Sequence, residues 1–349
     1  MASWAEHAIW WQVYPLGFTG AEKAAPATDE PVRHRLRQLA GWLDYAVELG
    51  CSGLLLGPVF AAETHGYDTV DHFEIDRRLG DQADFDHLVA EAAARGMRIV
   101  LDGVFNHVGR SFPAFQAALA GGPASPAARW FRRDAGSGEY ATFEGHHQLV
   151  VLDHEEPEVL SYVTQVMTHW LDRGAAGWRL DAAVGNHDVT RLASRLTDER
   201  HVGHALAVLL TVGGIPSIYY GDEQGFGGVK EQRAGGDDEI RPAFPASPAG
   251  LPPGGWPVYR LHQRLIGLRR RHPWLVRART TVPHLTNQAI AVQAAAGEAA
   301  VLVLLNAGDE PFRFPVDVAG LTVAETPDPG ARPGDPVLVP AHSWVILGT

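Results

Sequence analysis

A chain of 349 residues suffices for one large domain and a small one, and 46% hydrophobic with 20% charged residues is the balance of an ordinary globular protein. A formal charge of −12 argues against nucleic-acid or anionic-membrane partners, which need a basic footprint, and suits a neutral ligand such as a sugar. Cys51 is the single cysteine, so no intrachain disulfide can form, and its setting, CSGLLLGPVF, reads as a buried small hydrophobe.

In chain order, AIWWQVY (8–14) reads as a first strand. The N-terminal MASWAEHAIWWQVYP lacks the basic and continuous apolar regions of a signal peptide, so a cytoplasmic protein is the expectation. DEPVRHRLRQLAGWLDYAVELG reads as a helix capped by Asp29, with Pro31 in its first turn and a stripe of Leu36, Leu39, Leu43 and Val47. GLLLG (53–57) and MRIVLDGVF (97–105) are short runs of the kind buried in parallel sheets, separated by a helix through Phe85, Leu88, Val89 and Ala92. From Val108 to Leu152 the chain is long and rich in Gly, Ala and Pro, which predicts a functional loop or small subdomain.

A helix over 156–173, with Leu160, Val163, Met167 and Trp170 on one face, leads to a fourth strand, AAGWRLD. ERHVGHALAVLLTVGG is helical, IPSIYYGDE is a fifth strand entering a Gly-rich loop, and a helix follows over about 257–271. Beyond Pro273, short alternating runs (AIAVQAA, AAVLVLLN, FRFPVDV, SWVILGT) predict a small antiparallel β domain. Strands alternating with helices imply a (β/α) barrel over residues 1–272 with a long insertion at about 108–152, followed by a β-sandwich domain over 273–349. Five strands are too few, because a closed eight-unit barrel takes about thirty residues per unit.

The chemistry concentrates at the strand ends. LDGVFNHVG places Asp102, Asn106 and His107 at the end of a buried strand, as a site or as structural hydrogen-bonding residues. In GWRLDAA, alternation puts Arg179 and Asp181 on one face, with Trp178 and Leu180 toward the helices. A guanidinium beside Asp181 keeps its carboxylate ionised, as a nucleophile requires; a buried structural ion pair is the other reading. HGYDTVDH offers Tyr67 as a ring platform with Asp68 beside it, and VGNHDVTR supplies His187 and Asp188. These Asp and His residues could ligate a divalent ion, but Arg179 already supplies positive charge in their midst, so no required metal or other cofactor is expected.

VYPLGF, HGYDTVDHFEIDRRLG, LDGVFNHVG, GWRLDAA, GNHD and GGIPSIYYGDE, in that order, resemble glycoside hydrolase family 13, the α-amylase family. The resemblance covers essentially the whole chain. It implies a retaining hydrolase of α-linked glucosides, with α-glucan or malto-oligosaccharide as substrate. By the same resemblance, Asp181 is the nucleophile, Arg179 holds it charged, and Asp188 grips the sugar's 2- and 3-hydroxyls. His107 and His187 would bind hydroxyls, Tyr67 would stack on the ring, and Asp102 would support them from beneath. Some members hold calcium near the Asn of FNH through the third loop, which here shows no dense Asp cluster.

The resemblance also exposes a loss. GWRLDAA runs directly into VGNHD, where the family has further βα units and, on its fifth strand, the general-acid glutamate. On the order of eighty to ninety residues are missing, about three units. The fold expected is therefore a truncated TIM-type barrel of the α-amylase type, with open edges that a homo-oligomer could cover. Glu63, Glu144 and Glu223 are candidate substitute acids, Glu223 reading as structural. The rival expectation is a non-catalytic α-glucan-binding remnant or an engineered minimal barrel.

Overall fold

The computed structural model describes residues 3–26, 30–134, 136–180, 189–231, 233, 235–328 and 335–349. Five strands, β1 (Trp10–Val13), β2 (Gly53–Leu56), β3 (Arg98–Gly103), β4 (Gly177–Leu180) and β5 (Ser217–Tyr219), form one parallel sheet in the order β4-β3-β2-β1-β5. Helices α1 (Leu43–Leu49), α2 (Gln82–Ala94), α3 (Pro157–Asp172), α4 (Val202–Thr211) and α5 (Trp256–Arg271) alternate with these strands or follow the last. Strands β1 and β2 are buried along their whole length, as parallel strands covered on both faces must be, which explains their apolar sequence, broken only by the buried Gln12 of β1.

The sheet does not close among the described residues. Its edges are β4 and β5, and burial falls away there: Leu180 is 62% exposed, although alternation predicted that it would face a helix. Ile215, just before β5, and Leu160 and Leu171 on α3 are exposed as well. The unclosed sheet accounts for the exposure of Leu180 and Ile215 at its two edges.

The first predicted helix is shorter than expected. Helix begins at Leu36, breaks at Gly41–Trp42 and resumes as α1; Asp29 lies outside the described residues. The break rotates the apolar face, so Tyr45, Ala46 and Leu49 are buried while Val47 is exposed. On α3 the buried row is Val159, Val163, Val166 and Trp170, which keeps Val163 and Trp170 of the predicted stripe and replaces Leu160 and Met167 by their preceding neighbours. The 108–152 stretch is a folded subdomain: a helix over Pro113–Gly121 sets Phe115 against Phe131 and Tyr140, and Phe131 bridges to Leu152.

C-terminal to α5, strands β6 (Arg279–Leu285), β7 (Ala289–Ala296), β8 (Ala299–Asn306), β9 (Thr322–Glu325) and β10 (Ser343–Gly348) form an antiparallel sheet ordered β6-β7-β8-β10-β9. Alternate residues of β8 face opposite ways. Val301, Val303 and Leu305 join the main core, whereas Leu302 and Leu304 join a second cluster with Phe314 and Val345. FRFPVDV contributes only the two-residue strand Phe312–Arg313, which pairs with Leu338–Val339. No helix among the described residues is long and apolar enough to cross a membrane.

Candidate active site at the strand mouths

Asp102 on β3 and Arg179 on β4 are direct cross-strand neighbours, so the parallel register aims both side chains the same way. Arg179 Nη1 donates to Asp102 Oδ1 at 2.8 Å and to Oδ2 at 2.7 Å. Asp102 is 1% exposed, and a carboxylate so buried is tolerable only with a charge-assisted partner. The Tyr67 hydroxyl donates to Asp102 Oδ2 at 3.4 Å. Tyr67 is only 8% exposed, so it supports Asp102 rather than presenting the open ring platform expected from sequence.

Asp68 is also buried, and its Oδ2 accepts from the Thr64 hydroxyl at 2.5 Å, which ties the 64–68 turn together. His107 is buried at the head of the 108–152 subdomain, its ring stacked on Phe143 at 4.6 Å and its Nδ1 3.4 Å from Asn106 Nδ2. The structure thus gathers Asp102, Arg179 and Tyr67 into one cluster, sets Asp68 in a flanking turn and sets His107 in a two-residue strand paired with Val150–Val151. Asp181, His187 and Asp188 lie outside the described residues, as does the expected Arg179–Asp181 pairing.

Sequence reasoning missed what anchors the next segment. Arg191, three residues after Asp188, is 2% exposed and donates to Tyr220 O at 2.6 Å, Ile240 O at 3.0 Å and Asp222 Oδ1 at 3.0 Å. Its guanidinium also lies over the Tyr219 ring, 4.4 Å from the centroid. The chain therefore leaves one sheet edge at Leu180 and is fastened at Arg191 to the C-terminal end of the other. Nothing local in the sequence marks Arg191, whose partner Asp222 lies far along the chain.

A cleft of about 370 Å³ is lined by Tyr14, His65, Asp237, Asp238 and Arg241 among others, not by Asp102 or Arg179. Tyr14 and His65 connect it to the 64–68 turn, because the Tyr14 hydroxyl donates to His65 O at 2.9 Å. Arg241 lies over the Tyr14 ring, 4.9 Å from its centroid. The VYPLGF motif holds Tyr14 and was the available signal for this wall.

Of the candidate acids, Glu63 is partly exposed and its Oε1 accepts from Ser111 N at 2.5 Å. Glu144 is exposed, with φ +50, in the turn whose Phe143 stacks on His107. Glu223 is fully buried, accepting from the Tyr45 hydroxyl at 2.9 Å, Gly221 N at 2.9 Å and Trp11 Nε1 at 3.4 Å. Burial pushes its carboxyl up to about 7.

The family model for the catalytic domain of α-amylase matches this chain in two pieces, residues 12–185 and 182–246. The chain belongs to the α-amylase family. The two pieces of the match overlap at residues 182–185, within the stretch that joins Asp181 to Asp188. A cyclomaltodextrinase from Geobacillus thermopakistaniensis is 34% identical over 200 residues, 52% of this chain and 34% of the relative. Neopullulanase 2 from Thermoactinomyces vulgaris is 35% identical over 201 residues, with the same coverage. The chain thus spans about a third of the length of the curated relatives it matches. Among solved structures, the debranching enzyme of Nostoc punctiforme superposes with a TM-score of 0.77 at 22% identity, covering 99% of each chain, which shows the shared fold.

Proposed function

We propose that this chain is an α-glucan- or malto-oligosaccharide-active glycoside hydrolase of the retaining type. The cross-strand Arg179–Asp102 pair carries the reading, because it fixes the guanidinium at the mouth of β4, two residues before Asp181. In this reading Asp181 attacks the anomeric carbon and forms a glycosyl-enzyme intermediate that water then resolves, with Arg179 keeping it ionised. Asp188 grips the 2- and 3-hydroxyls, and His107 and His187 bind hydroxyls of the same sugar. Asp102 and Tyr67 position Arg179, and Asp68 holds the adjoining turn. The relatives' names, cyclomaltodextrinase and neopullulanase, support a glucan substrate. The name of another relative, an intracellular maltogenic amylase from Bacillus subtilis, supports a cytoplasmic setting.

The family's general-acid segment has no counterpart, so cleavage of unactivated glucosides is impaired by roughly 10²–10⁴-fold. Maltotriose and α-glucosyl fluoride, assayed side by side, test this. Turnover of the fluoride that Asp181→Asn abolishes supports the reading, and fluoride turnover unaffected by Asp181→Asn refutes it. The open sheet favours a second reading, a non-catalytic α-glucan-binding remnant, in which neither substrate turns over and maltotriose still binds. In either reading the exposed edges favour a homo-oligomer that covers them.

A further inference from the structure

A cluster of histidines and aspartates joins the start of α4 to the C-terminal sheet, away from the proposed sugar site. His201 Nε2 and His342 Nδ1 are 3.0 Å apart, and Asp198 Oδ2 is 3.9 Å from His342 Nδ1. The three donor atoms all lie within 4.8 Å of one another. Ligands about 2.0–2.2 Å from a tetrahedral ion stand about 3.3–3.5 Å apart, and the two measured separations bracket that edge. All three residues are partly buried, so an ion here would shed part of its water yet keep an entry path.

The surroundings suit the chemistry. His342 Nε2 is 2.8 Å from Asp309 Oδ1, so its proton belongs on Nε2 and its Nδ1 lone pair faces His201. A carboxylate on the far nitrogen of a ligating histidine is the usual outer support of a metal site, fixing the tautomer and raising basicity. The backbone sets the ring: His342 adopts φ +49 and donates its N–H to Gly308 O. On the other wall, Asp198 caps its turn by accepting from Arg200 N at 2.9 Å. Arg200 also pairs with Asp198 Oδ2 at 2.5 Å, but its side chain is 58% exposed, so it gives up that oxygen at the cost of a surface ion pair. The comparable group of His34, Asp81 and Asp84 is less suited, because the Asp84 side chain is fully buried and its oxygens hold the Arg37 ion pair and the helix-capping bond from Asp81 N.

We infer that Asp198, His201 and His342 form a binding site for a divalent transition metal, zinc by its His and carboxylate donors, with Asp309 as outer support. The ion would clip the loop before β10 to the start of α4 and leave the strand mouths untouched. Two imidazoles, one carboxylate and a position open to water fit zinc better than calcium or magnesium, which prefer all-oxygen shells.

The full chain, stripped with chelator, is titrated with zinc chloride by calorimetry and with cobalt(II) by visible absorption. The expected result is one ion per chain with micromolar or tighter affinity, tetrahedral cobalt bands, and a zinc-dependent rise in Tm. His34→Ala, as a control, leaves all three unchanged. His201→Ala with His342→Ala abolishes the site. Asp309→Asn, at a position 88% exposed and so safe for folding, weakens binding about 10–100-fold. Absence of a stoichiometric site in the wild type, its survival in the double variant, or unaltered affinity in Asp309→Asn overturns the proposal.

Discussion

Arg179 and Asp102 stand opposite each other on neighbouring parallel strands, with one guanidinium nitrogen reaching both carboxylate oxygens. The Asp102 side chain is fully buried and that of Arg179 is 19% exposed. Asp102→Asn keeps the shape and deletes the charge. Breaking a wholly buried pair costs about 3–5 kcal/mol, and the residual exposure of Arg179 brings the expected loss to about 2–3 kcal/mol. Urea unfolding measures it; an unmoved midpoint means that the pair contributes nothing to stability.

Glu223 makes stability depend on pH. Its carboxyl titrates near 4.5 when unperturbed and at about 7 in the fold, because burial disfavours the anion. Between those values the unfolded chain gives up the proton while the folded chain keeps it. Stability from this group is therefore complete below pH 4.5, is lost as pH rises to about 7, and is level above. The loss is on the order of 3 kcal/mol. Glu223→Gln cannot ionise, so the stability of the wild type relative to this variant should fall by about that amount between pH 4.5 and 7.5. A constant difference across that range contradicts the burial argument.

Arg191→Met keeps an apolar stem but removes the cation that ties Tyr220 O, Ile240 O and Asp222 together. Asp222, pushed up by burial and pulled down by Arg191, would lose its counter-charge. A loss of about 3 kcal/mol is expected, together with weaker maltotriose binding, since the segment after Asp188 loses its anchor. Thermal unfolding and calorimetric titration read the two effects.

Leu180 lies 62% exposed on edge strand β4. Leu180→Lys should change stability by less than about 0.5 kcal/mol, as surface substitutions do, while shifting any self-association toward the monomer in sedimentation. A large stability loss in the monomer would show that the edge is covered within the chain itself.

Short apolar runs between helical patterns made all five parallel strands legible, and the alternation in GWRLDAA put Arg179 on the face opposite Trp178 and Leu180. Two of the four residues of the α3 stripe were misplaced because apolar residues occupy two adjacent rows, and sequence periodicity cannot choose between Val159 and Leu160. Strand β6, RTTVPHL, went unnoticed since nearly all of it is exposed and no apolar alternation marks it. Around Asp102, motif residues marked the cluster with Arg179 and Tyr67, whereas Arg191 acts through partners distant in sequence and was silent.

The pairing of Trp10–Gln12 with Ser217–Tyr219 has a consequence for biosynthesis. About two hundred residues must emerge from the ribosome between these strands, which at about 5–20 residues per second takes roughly 10–40 s. Throughout that interval one flank of the earliest strand, with its two tryptophans, waits for a mate that does not yet exist. The nascent chain is thus most open to misassociation, and most in need of a chaperone, before its last parallel strand is made.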